Sequence, residues 1–156
     1  MIIKGQNKFN LIMYICLFLF QSADISAKPF SQKRIISVDE AFKVSLSSLN
    51  SLLTISFEIN KDSYLYSEQL AITSNDNPLL YKIIGLSEHI EDEFYGSSKV
   101  YENDLSIQMD SENFEDEKVL FLNYQGCLKD IICYSKQNKK IFFKRDKNKL
   151  ISFKFL

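Results

Sequence analysis

Cys127 and Cys133 are the residues in this chain whose type and spacing can do chemistry. They enclose residues 128–132, and a pair this close can cycle between dithiol and disulfide. Thiol–disulfide exchange is therefore one reading, and a covalent staple is the other. Closing a seven-residue loop removes only about 2.4 kcal/mol of chain entropy from the unfolded state, against about 4–5 for a bridge between distant strands. That makes a poor staple and favours exchange without deciding it. The spacing is not C-x-x-C, so thioredoxin logic does not transfer directly. Metal binding lacks further ligands, because the sole histidine, His89, has no ligand-like spacing. No metal and no cofactor beyond the Cys127–Cys133 disulfide itself is expected.

The elements around the pair read as strands. Leu53, Ile55, Phe57 and Ile59 alternate with Thr54, Ser56 and Glu58; Leu105, Ile107 and Met109 alternate with Ser106 and Gln108; Ile151, Phe153 and Phe155 alternate with Ser152 and Lys154. Shorter β-rich runs lie at 64–72, 79–84, 118–124 and 140–143, with turn signals between them. The run before Cys127 and Tyr134 after Cys133 are strand-like, so two neighbouring strands with a tight connection would present the pair. Ser37-Val38-Asp39-Glu40 has the form of a capping box and predicts a turn or two of helix. About seven short strands argue for an all-β sandwich, with a barrel as the alternative. Beyond the first 27 residues the glycines are Gly85, Gly96 and Gly126, each beside a turn or a motif residue. A chain so sparing of glycine uses it where the backbone needs freedom or close approach.

The N-terminus reads as a leader. Lys4 and Lys8 precede an uninterrupted apolar run at 11–20, and small residues Ser22, Ala23, Ser26 and Ala27 follow. The run is about half the roughly 20 residues of a spanning helix, so residues 1–27 are expected to be a signal peptide and 28–156 a soluble domain with no membrane insertion. Cleavage would remove Lys4, Lys8 and Asp24, taking the formal charge from −1 to −2. Nothing in that balance suggests a nucleic-acid partner. Cys16 would leave with the leader, and two cysteines in an oxidising compartment agree with one intramolecular disulfide.

The run Tyr124-Gln125-Gly126-Cys127, five residues, then Cys133-Tyr134 resembles the cysteine motif of the periplasmic N-terminal domain of the thiol:disulfide interchange protein DsbD. Asp92-Glu93-Phe94-Tyr95-Gly96, followed by Val100-Tyr101, resembles that family's cap loop and the next strand. Tyr64-Leu65-Tyr66 resembles its Tyr-Leu-Tyr strand, and Val38-Asp39-Glu40-Ala41-Phe42 is a weaker match near the start. All four occur in the family's order across about residues 35–136.

The resemblance implies an immunoglobulin-like β-sandwich with the redox cysteines on neighbouring strands. It implies a periplasmic thiol:disulfide oxidoreductase of the protein-disulfide reductase type, relaying reducing equivalents. The implied donor is a membrane-linked thioredoxin-like domain. The implied acceptors are thioredoxin-fold proteins of the disulfide isomerase or cytochrome-maturation type. By resemblance Cys133 forms the mixed disulfide, Cys127 resolves it, and Phe94 caps the pair. Asp92 and Glu93 flank the cap, where carboxylates would disfavour a thiolate. Tyr64, Tyr66, Tyr124, Gln125, Gly126 and Tyr134 are expected to line the site, with Tyr95 and Gly96 completing the cap loop.

Two departures stand out. Ile131 occupies a position where the family often has glycine, and Ser135-Lys136 stand where it often has prolines. The family's full protein also continues into a membrane domain and a thioredoxin-like domain, so the expectation is either an electron source on a separate polypeptide or a shortened remnant of a longer protein. The alternative, from another class, is a non-catalytic, disulfide-stapled β-sandwich that binds a partner.

Overall fold

A computed structural model describes residues 34–156 except 76, 113, 115, 116, 147 and 148. The expected signal peptide, residues 1–27, lies outside the described residues. One helical turn, α1 (Val38–Ala41), starts the described chain. Its capping box forms as the sequence predicts: the Ser37 hydroxyl accepts from the Glu40 amide, and the Ser37 amide donates to Glu40 Oε2 at 2.9 Å. The helix then gives way to strand at Phe42.

Fourteen strands follow: β1 (Phe42–Leu49), β2 (Leu52–Ile59), β3 (Ser63–Tyr66), β4 (Ala71–Ser74), β5 (Asn77–Pro78), β6 (Lys82–Ile84), β7 (Glu88–Asp92), β8 (Gly96–Tyr101), β9 (Leu105–Asp110), β10 (Glu117–Tyr124), β11 (Gly126–Leu128), β12 (Ile132–Cys133), β13 (Gln137–Asp146) and β14 (Lys149–Phe155). They form three sheets, ordered β1-β2-β9-β6, β14-β13-β10-β4-β5 and β12-β11-β3-β8-β7. Among the described residues no helix is long and apolar enough to cross a membrane.

The first two sheets face each other across the main core. Leu53, Ile55 and Phe57 of β2 and Ile107 and Met109 of β9 come from one side. Ile72 of β4, Leu120 and Leu122 of β10 and Ile141 and Phe143 of β13 come from the other. This is the immunoglobulin-like sandwich expected, built from the alternation read in the sequence. Burial of this kind contributes about 25 cal/mol per Å² of apolar surface. The 64–72 run divides, because a 3-10 turn at Ser67–Gln69 separates β3 from β4. β1, unforeseen as a strand, pairs in register with β2 from Phe42↔Ile59 to Leu49↔Leu52. Asn50 takes positive φ in the two-residue turn, a conformation asparagine tolerates.

Candidate functional site

The third sheet positions the cysteines, and its register decides what meets them. Cys127 on β11 lies directly opposite Cys133 on β12 and, on its other side, opposite Tyr64 on β3. Tyr66 is opposite Val100 on β8, and Val100 is opposite Glu88 on β7. Side chains alternate between faces, so Cys133, Cys127, Tyr64, Tyr66, Val100, Ile90 and Asp92 share one face. Tyr64, Tyr66, Val100 and Cys127 form a second buried cluster there, with Ile90 and Cys133 against it. The opposite face sends Leu65 and Tyr101 into the main core.

Cys127 and Cys133 form a disulfide, with Cα atoms 4.0 Å apart. Cys127 is 1% exposed, whereas Cys133 is only part-buried. The connection between them turns at residues 128–131, closed by the Ile131 amide donating to the Leu128 carbonyl at 3.1 Å. Asp130 takes the positive φ of this turn, so Ile131 needs no glycine-like freedom.

The Tyr66 hydroxyl reaches both sulfurs, 3.1 Å from Cys127 Sγ and 3.7 Å from Cys133 Sγ. Disulfide sulfur carries no proton, so Tyr66 is the donor. Its pKa is driven well above the ordinary tyrosine value by burial first, then by the neighbouring Tyr64 and Asp92. The Tyr64 hydroxyl donates to Asp92 Oδ2. Burial, with this bond next, pushes Tyr64 up to about 12. Burial alone would raise Asp92. Hydrogen bonds from Tyr64 and from the amides of Tyr95 and Phe94 outweigh it and hold the carboxyl below its ordinary value.

Asp92 also builds the cap turn. Its Oδ1 accepts from the Phe94 and Tyr95 amides at 2.8 and 2.9 Å, and Gly96 closes the turn at φ +68°. Phe94, with Glu93 beside it, lines a cleft of about 360 Å³ that also holds Cys133 and Ile132. Phe94 is 65% exposed. The cap ring that packs on the sulfur-contacting tyrosine is Tyr95, 4.8 Å from the ring of Tyr66. A carboxylate oxygen of Asp92 and both sulfurs lie within 4.8 Å of one another. Sulfurs joined in a disulfide are not thiolate ligands, however, and the Asp92 oxygens already accept from Tyr64 and two amides.

The remaining motif residues serve other faces. Tyr124 lies in the main core, edge-on to Phe42 and Phe57. Tyr134 packs edge-on against Phe42, and its hydroxyl donates to the Ile36 carbonyl at 2.9 Å. Gly126 allows strands β11 and β3 to approach. Gln125 joins the Tyr95 hydroxyl to the Tyr134 carbonyl. Ile90 and Ile132 escaped sequence reasoning. Ile132 could have been found from its place inside the cysteine loop, and Ile90 only from the β7–β8 register.

The family model described as "Thiol:disulfide interchange protein DsbD, N-terminal" matches residues 32–145. The chain belongs to this family. A DsbD relative from Cronobacter sakazakii is 29% identical over 128 residues, covering 80% of this chain and 22% of the relative. The chain thus spans about a fifth of the length of that curated relative. The reduced DsbD N-terminal domain of Neisseria meningitidis superposes with a TM-score of 0.64 at 19% identity, over 78% of this chain and 94% of that one. The same organism's domain in complex with the PilB N-terminal domain gives 0.55 at 23% identity, over 68% and 84%. Both show the shared fold. Within this DsbD N-terminal framework, the chain keeps both cysteines on adjacent strands and supplies its loop's positive φ from Asp130.

Proposed function

We propose that this chain is a periplasmic thiol–disulfide exchange domain that relays reducing equivalents through Cys127 and Cys133. The carrying observation is the paired disulfide with one sulfur buried, one part-exposed in a cleft, and a protonated phenol on both. A donor thiolate would attack Cys133 Sγ, the sulfur with access, and Cys127 would leave as thiolate. Tyr66 would donate to that developing charge. A second donor thiol then completes reduction to the dithiol. In the forward transfer the Cys133 thiolate attacks an oxidised partner's disulfide and expels one partner thiolate. Cys127 then attacks Cys133 Sγ, which re-forms the internal disulfide and releases the partner as a dithiol. Electrons and atoms balance, two electrons passing per cycle.

Partners of thioredoxin fold, of the isomerase or cytochrome-maturation type, and a membrane-linked thioredoxin-like donor suit this chemistry. The relatives' DsbD identity supports them. The complex formed by the Neisseria domain with the PilB N-terminal domain supports a protein partner. Membership of the family supports the reductase direction, and the place of Phe94 on the cleft supports its role as an apolar screen. The apolar run at 11–20 behind Lys4 and Lys8 supports export, with residues 1–27 as signal peptide and 28–156 as the exchange domain.

The test is a Cys127→Ser chain expressed in the periplasm. It should accumulate a mixed disulfide through Cys133 that is released by dithiothreitol. Absence of any trapped partner, with the chain folded and Cys133 free, would refute the proposal.

A further inference from the structure

We propose that Gln125 is a positioning residue that couples the cap turn to the strand carrying Cys133, so that engagement of Cys133 by a partner loosens the cap from within. The inference rests on the exchange reading above and deepens it.

Gln125 stands between β10 and β11, one residue before the Gly126–Cys127 pair. Three elements converge on it. Its backbone carbonyl accepts from the Tyr66 amide at 3.0 Å, tying it to the strand whose phenol touches both sulfurs. Its Nε2 donates to the carbonyl of Tyr134, the residue after Cys133, at 3.0 Å. Its Oε1 accepts from the Tyr95 hydroxyl of the cap turn at 3.2 Å. The Tyr134 carbonyl fixes the amide's orientation, because a flip would set oxygen against oxygen.

The cap turn is therefore held at two points. Asp92 Oδ1 pins its backbone through the Phe94 and Tyr95 amides. Gln125 pins the side chain of Tyr95, whose ring rests on Tyr66. The second attachment leads through the Tyr134 carbonyl to the strand that carries Cys133. A partner bonded to Cys133 Sγ enters the cleft lined by Phe94 and Ile132, against the two-residue strand β12 that leads into Tyr134. Any shift of Tyr134 moves the acceptor on which Gln125 depends, and the Tyr95 link then weakens.

The experiment uses the full chain carrying Cys127→Ser, with Cys133 either a free thiol or joined to glutathione as a mixed disulfide. Amide hydrogen exchange is read at Phe94 and Tyr95. Loss of one neutral hydrogen bond corresponds to about fivefold. Glutathione on Cys133 should speed exchange at both amides about fivefold when Gln125 is present. With Gln125→Met added, exchange should already be fast and glutathione should add nothing. Tyr95→Phe, which removes the hydroxyl bonded to Gln125 Oε1 and keeps the ring that packs on Tyr66, should behave like Gln125→Met, and the double variant should match either single one. A merely structural glutamine would give the same glutathione effect in every variant, which overturns the coupling. The proposal of exchange is judged separately by the Cys127→Ser trap. A trap that forms with no difference among these variants removes the coupling and leaves the exchange reading standing.

Discussion

The Tyr66 hydroxyl lies 3.1 Å from the buried sulfur of Cys127 and 3.7 Å from that of Cys133. On the proposed route, attack at Cys133 Sγ develops charge on Cys127, and Tyr66 is the donor in place to meet it. A hydrogen bond to a charged acceptor contributes about 1.5 kcal/mol or more, roughly tenfold in rate. Tyr66→Phe should therefore slow reduction of the disulfide by dithiothreitol about tenfold while leaving the far-ultraviolet circular dichroism unchanged. Reduction at the native rate would remove Tyr66 from the mechanism.

Asp92 predicts the acid limb of stability. Its folded pKa is below its unfolded one, so its stabilisation is present above about pH 4 and is lost as pH falls through the folded value. Tyr64 has the opposite sense. Pushed up to about 12, it contributes stability below about pH 10 that is lost as pH rises toward its folded value. Asp92→Asn should lower stability near neutrality by about 2 kcal/mol, since charge-assisted hydrogen bonds go with the carboxylate. It should also flatten the dependence between about pH 2 and pH 5. Urea midpoints across that range decide it, and parallel curves for native and variant chains would exclude Asp92 as the titrating group.

How much of this could be read in advance depended on where each residue's partners lie in the chain. β2 and β9 were legible because one face is buried, which prints strict alternation on Leu53 to Ile59 and on Leu105 to Met109. The cysteines, Tyr64 and Tyr66 carried a motif. β7 printed no such pattern: Glu88-His89-Ile90-Glu91-Asp92 has a single apolar residue, and its role follows from pairing with β8. The ionised, nearly buried state of Asp92 depends on Tyr64, 28 positions away, and on amides of its own turn. Tyr124 and Tyr134 belong to the cysteine motif in sequence, yet both pack on Phe42. Motif membership does not say which face a side chain takes.

Gly126 is required by close approach rather than by unusual φ. A Cβ there would stand 2.2 Å from the Tyr64 carbonyl oxygen and 2.6 Å from Phe42 Cζ. Backbone cannot yield as a side-chain tip can, so β11 would have to move from β3. Gly126→Ala should cost about 2–3 kcal/mol, lowering the melting temperature by roughly 10 °C. It should also slow disulfide exchange by withdrawing Tyr66 from the sulfurs. A thermal melt within about 2 °C of native would show that the strands accommodate the methyl group.

Tyr124 makes the opposite prediction. Its side chain is fully buried among Phe42, Phe57 and the aliphatic core, and its hydroxyl has no hydrogen-bond partner among the described residues. A buried hydroxyl left unpaired costs about 1–3 kcal/mol in desolvation. Phenylalanine keeps the ring and its edge-on contacts while removing that oxygen. Tyr124→Phe should therefore raise stability by about 1 kcal/mol, seen as a higher urea midpoint with an unchanged slope. Dithiothreitol should reduce its disulfide at the native rate, because this ring faces the main core rather than the sulfurs. A loss of stability would mean that the phenol is bonded, and a slower reduction would mean that the motif tyrosine reaches the site after all.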